Sequence, residues 1–135
     1  MRKVAQVKKQ GADAKWVVVH ETTSDGVYLF PFATDEDGSS IGDWWFETMA
    51  EADASCAAEY DIRPSDWIQI PDPPSGCQQD WICPVRVPGR EAGSPEWGTL
   101  ERLVDGEWIR IDPRDRRPTV VWAIQQANET EGPSG

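Results

Sequence analysis

The chain has a single histidine, three cysteines and no run of apolar residues near the roughly 18 that a membrane span requires. Each scarcity removes a class of function. A Ser-His-Asp or Cys-His device needs an imidazole base, and His20 is the only candidate. It closes the run VVVH, where a place on a strand face or rim is the ordinary expectation. Three thiols is an odd number, which argues against a closed disulfide framework. Five residues separate Cys77 from Cys83, a spacing that fits neither a CxxC redox pair nor a zinc knuckle. Only Cys56 and His20 remain to supply further sulfur or nitrogen ligands. The cysteines therefore read as small buried hydrophobes, and neither a metal nor a cofactor is expected. Phosphate-cradling loops of the form GxxxxGK[ST] or GxGxxG are missing too. No catalytic residue is assigned, and the chain does not read as an enzyme.

The opening stretch MRKVAQVKKQGADAK is basic but has no apolar core, so it does not have the form of a signal peptide. A cytoplasmic location, where thiols stay reduced, is the expectation. At 135 residues the chain is expected to be a single domain, long enough to bury about two-thirds of its unfolded surface.

What the sequence does have is acid and tryptophan. Residues 1–15 carry five basic side chains and one acid, a net of +4. Residues 16–80 carry fourteen acids against Arg63 alone, a net of −13. Residues 81–135 carry nine acids and seven arginines, a net of −2, and the three blocks sum to −11. So one-sided a block repels nucleic-acid backbones and anionic lipid and attracts basic surfaces. Part of it, 35-DEDGSSIGD-43, has the look of a calcium loop. An EF-hand places glycine at position six and glutamate at position twelve, and from Asp35 those positions hold Ser40 and Phe46, so the match fails.

Eight tryptophans suit cores, interfaces and pockets alike. An acid-Trp-Ile triplet occurs three times, in SDWIQIP (65–71), QDWICPV (79–85) and GEWIRID (106–112). The intervals between the tryptophans are 14 and 27 residues, too unequal for a repeat architecture. The triplet reads as the start of an extended run, with Trp on one sheet face and Ile on the other.

The predicted fold class is α+β, an antiparallel sheet of five or six strands with one main helix on a face. KWVVVHET (15–22) and GVYLFPFA (26–33) are β-branched and aromatic, and Asp25-Gly26 offers a tight turn between them. KVAQVKK (3–9) is either a further strand or a mobile basic arm covering residues 1–12. Thr48 and Glu51 have capping-box spacing, which predicts a helix over about 49–60 with Met49, Ala52, Cys56 and Tyr60 turned inward. Pro64 requires the helix to stop before it. WIQI, WICPVRV, WGTLERLV and EWIRI are extended, the last two joined at Asp105-Gly106. The segment 119–126 is either a last strand or a short helix, and 128–135 has the composition of a disordered tail.

Function is expected from the surface. In Asp43-Trp44-Trp45-Phe46-Glu47 three consecutive aromatics lie between carboxylates. A strand buries one face, so at least one ring is left exposed or at the rim. Aromatic anchors ringed by charge are how binding hot spots are built. The expected partner-binding residues are Asp35, Glu36, Asp37, Asp43, Trp44, Trp45 and Glu47. The expected partner is a basic protein rather than nucleic acid or membrane, as for an immunity or inhibitor protein that neutralises a basic toxin. The alternative is a small-molecule or peptide-binding domain with a tryptophan-lined pocket.

Overall fold

The computed structural model describes residues 1–90, 92–112, 114 and 116–130. Strands β1 (Arg2–Gln6), β2 (Trp16–Glu21), β3 (Val27–Phe32) and β4 (Trp44–Phe46) come first, followed by helix α1 (Met49–Tyr60) and strand β5 (Ile68–Ile70). These five strands form one antiparallel sheet in the order β4-β3-β2-β1-β5. Strands β6 (Val85–Arg86), β7 (Glu101–Val104) and β8 (Glu107–Arg110) form a second, three-stranded sheet, and helix α2 (Val120–Thr130) follows. The fold is α+β, with α1 packed on one face of the large sheet. Among the described residues no helix is long and apolar enough to cross a membrane.

Both faces of the large sheet are buried at its central strands, which explains why β2 carries the unbroken run Trp16-Val17-Val18-Val19 instead of an alternation. Val17, Val19 and Leu29 meet Ala52, Cys56 and Ile62 on the α1 side. Val4, Val18, Phe30 and Phe32 meet Ile82, Val120, Ala123 and Ile124 on the other. The second face is therefore roofed by α2. Of the strand and the helix open to segment 119–126, the helix forms, because Val120, Ala123, Ile124 and Ala127 recur at helical spacing and all turn inward. Thr119 caps it, its hydroxyl accepting the Trp122 N–H at 3.1 Å. The helix continues through residues 128–130, where a tail was expected, and residues 131–135 lie outside the described residues.

Helix α1 starts as its capping residue dictates: Thr48 accepts from the Glu51 N–H at 3.2 Å. It ends at Asp61 in the left-handed conformation (φ 58°), ahead of Pro64. The exposed Tyr60 carbonyl is then used by the chain after β1, accepting from the N–H groups of Lys8 and Lys9 at 3.0 and 3.1 Å.

Of the strand and the arm open to the basic N-terminal segment, the strand forms, over Arg2–Gln6. β1 lies between β2 and β5, with Val4 and Ala5 fully buried, and Lys3 reaches across to Asp53 of α1 and over the Trp67 ring. The β2–β3 connection is also longer than the tight turn expected. Glu21 pairs with Val27, leaving a five-residue loop, 22–26, whose only positive φ is at Gly26. Thr22 organises it, its hydroxyl donating to the Gly26 carbonyl and accepting the Asp25 N–H. Asp105 and Gly106, both at positive φ, do form the two-residue turn between β7 and β8. The acid-Trp-Ile triplet leads into β5 and lies within β8. At 80–82 the strand reading fails, since Trp81 and Ile82 are buried in irregular chain.

Candidate functional site

Among the described residues the sheet ends at β4, which is paired with β3 alone. The preceding chain continues the same edge, the Ile41 N–H donating to the Pro31 carbonyl at 2.9 Å. Along this edge three large apolar side chains face solvent: Ile41 is 56% exposed, Trp44 63% and Trp45 52%. Register places the two indoles on opposite faces of the sheet. Trp44 stands opposite Leu29, whose side chain belongs to the α1 side, and Trp45 stands opposite Tyr28, which packs toward the α2 side. Phe46, opposite Val27, is the ring of the three that turns toward the core.

Trp45 is fixed in place. Its Nε1–H donates to the Asp25 carbonyl at 2.6 Å, and its ring lies against Gly26. A Cβ on Gly26 would stand 2.6 Å from that ring nitrogen and 2.7 Å from the Phe46 carbonyl, and the residue sits at φ 80°, so glycine is required for both reasons. Beside it the Tyr28 hydroxyl donates to the Asp25 carboxylate, which holds the phenol's proton and raises its pKa above the ordinary value. Trp45 is thus a pre-positioned anchor and Trp44 the more exposed one.

The acids expected on this surface divide into three groups. Asp43 and Glu47 are exposed and bracket the tryptophans at the two ends of β4. Asp35 and Glu36 are exposed as well, but beside the start of α2: Asp35 accepts the Trp16 Nε1–H at 2.9 Å and lies 3.9 Å from Lys15, and Glu36 forms a bridge with Thr119. Asp37 does not belong to the surface at all. It is 2% exposed, and its carboxylate accepts the N–H groups of Ile82 and Cys83 at 2.8 and 3.1 Å. Burial pushes its pKa up to about 6, partly offset by those two bonds and by the charge of Arg2.

Arg2 is equally buried and completes the same device from the opposite direction. Its guanidinium donates to the carbonyls of Pro71, Gln79, Trp81 and Ile82 at 2.8, 2.9, 2.6 and 3.2 Å. Desolvation lowers its pKa to about 10, still charged at neutral pH. Arg2 and Asp37 therefore hold the irregular stretch 79–83 by its carbonyls and its amides respectively. A charge that composition alone would place on the surface is here a buried fastener.

His20 lies on β2 opposite Arg2, and its Nδ1 shares a 2.7 Å hydrogen bond with the Gln79 side chain. Burial lowers its pKa, with the positive charges of Arg2 and the N-terminus adding to the effect. Cys56 and Cys83 are held as thiols by burial, each pushed up to about 12. Among the described residues no group of three or more His, Cys, Asp or Glu side chains is placed to hold a metal ion. No family model, curated protein or solved structure matches the chain.

Proposed function

We propose that the protein is a binding module that captures a basic protein partner along the β4 edge. The observation that carries this reading is the exposure of Ile41, Trp44 and Trp45, each more than half open, on an unpaired sheet edge inside the −13 block of residues 16–80. An open edge invites another strand, and natural proteins normally blunt it with charge. Asp43 and Glu47 blunt it against a second copy of this acidic chain while favouring a segment that carries Lys or Arg. An extended basic segment added to β4 gains main-chain hydrogen bonds, and the two indoles, one on each face, grip its side chains from both sides. The size and charge of the chain also fit an inhibitor or immunity protein acting on a basic toxin.

The test uses the protein that the immobilised chain retains from its native host, with rates measured on the isolated pair. Asp35→Asn, Glu36→Gln, Asp43→Asn and Glu47→Gln, made together, are expected to slow association and flatten its salt dependence, because steering acts on the on-rate and is screened over about 10 Å at 0.1 M salt. Trp44→Ala is expected to speed dissociation about 10- to 100-fold, as loss of a packed anchor does. Both variants keep the wild-type thermal midpoint within a few degrees, since every altered side chain is exposed. A retained protein that binds both variants at wild-type rates contradicts the proposal.

A further inference from the structure

Between α2 and the three-stranded sheet lies a cleft of about 600 Å³, within the range of small-molecule sites. Its walls are mostly apolar: Trp81 and Val85 on one side, Leu103, Val104 and Ile111 on another, and Trp122 from α2. Three arginines join them, Arg102 from β7 and Arg116 and Arg117 from the segment that leads into α2. Of the nine arginines in the chain, Arg86, Arg110 and Arg114 form ion pairs, with Glu101, Glu96 and Asp112. Arg102, Arg116 and Arg117 make no ion pair among the described residues, and they share one cavity.

The one acid among the described lining residues makes no ion pair with them. Asp37 has one oxygen on the Ile82 N–H and the other on the Cys83 N–H. Arg117 lies with its guanidinium 5.6 Å from the centre of the Trp81 ring, and it approaches Gly38 so closely that a Cβ there would stand 2.8 Å from Nη1. The wall also contains a donor without an acceptor among the described residues, the buried Nε1–H of Trp81, and such groups are uncommon in folded chains. Planar guanidinium groups suit carboxylates, which they bind in bidentate fashion.

We propose that this cleft binds a small organic carboxylate with an apolar body, its head held by Arg102, Arg116 and Arg117 and its body packed between Trp122, Trp81 and Leu103. This is a second site, separate from the β4 edge, and none of its lining residues lies in β4.

The probe is 2-naphthoate, with 2-naphthol as the neutral counterpart of nearly the same body, each titrated by calorimetry into the full chain at neutral pH. The expected result is one naphthoate bound per chain, at least about 10-fold tighter than naphthol, a preference equivalent to one charge-assisted contact. The triple variant Arg102→Gln, Arg116→Gln, Arg117→Gln loses that preference and keeps its naphthol affinity, which separates loss of the head contacts from loss of the fold. Trp122→Ala weakens both probes, and Trp44→Ala changes neither. Naphthoate that fails to bind, that binds no better than naphthol, or that binds the arginine variant as it binds wild type overturns the proposal.

Discussion

Asp37→Ala is expected to lower the unfolding free energy by about 3–5 kcal/mol at neutral pH, the range for removing one member of a buried charged arrangement. The side chain is 2% exposed, and its removal leaves the Ile82 and Cys83 amides without their acceptors. It also removes the largest opposite-charge compensation for buried Arg2, whose own pKa the Asp37 charge raises. Asp37 adds a pH dependence whose sign is fixed by its displacement. Its pKa in the fold, about 6, stands above the ordinary 3.8, so the folded state binds this proton more tightly than the unfolded state does. This component therefore stabilises the fold as pH falls through about 6 toward 4 and is lost as pH rises through the same window. The displacement is equivalent to about 3 kcal/mol. Urea unfolding of wild type and Asp37→Asn at about pH 4.5 and pH 7 measures it. The gap between the two proteins is expected to be wider at the lower pH, and a gap independent of pH contradicts the assignment.

Cys56→Asp is expected to cost a similar 3–5 kcal/mol or to abolish folding. The position is fully buried between α1 and the sheet, against Val17, Val19 and Leu29, and a carboxylate there is desolvated beside Asp53, with the nearby Lys3 already paired to Asp53. Asp53, a turn earlier, is no neutral reference because it pairs with Lys3 of β1. Ala57 is, being exposed on the adjacent position of the same helix, and Ala57→Asp is expected to stay within about 1 kcal/mol, mostly helix propensity. Thermal or urea unfolding of the two variants decides the matter. Equal losses mean that the buried face of α1 is not the one described.

The parts of this fold that were legible in the sequence are those fixed by local chemistry. Thr48 and Glu51 mark the start of α1, Pro64 bounds its end, and Asp105-Gly106 forms the turn between β7 and β8, because each depends on its immediate neighbours alone. That at least one of the three consecutive aromatics is exposed was legible in the same way, since they cannot all face a core. That both indoles are exposed was not, because it depends on β4 lying at the edge of the sheet. α2 was less so. Val120, Ala123, Ile124 and Ala127 have helical spacing, but the β-branched pair at 120–121 also suits a strand, and only the need to cover the second face of β2 decides between them. The unbroken Val17-Val18-Val19 was the sign of that need. Asp37 was the least legible, because nothing in TDEDGSS distinguishes it from Asp35 and Glu36 beside it. Its burial depends on the amides of Ile82 and Cys83, 45 and 46 residues away. Arg2 is of the same kind, with partners 69 to 80 residues distant.

Amide hydrogen exchange on the chain, alone and saturated with the basic protein it retains, tests the central claim most directly. If that partner is captured as an added strand, exchange slows at the backbone of residues 41–46, where among the described residues no strand lies beside the outer side of the edge, while the opposite edge strand β5 keeps its free rate. Protection at β5 or across the three-stranded sheet, with 41–46 unchanged, contradicts the claim and moves the binding surface elsewhere.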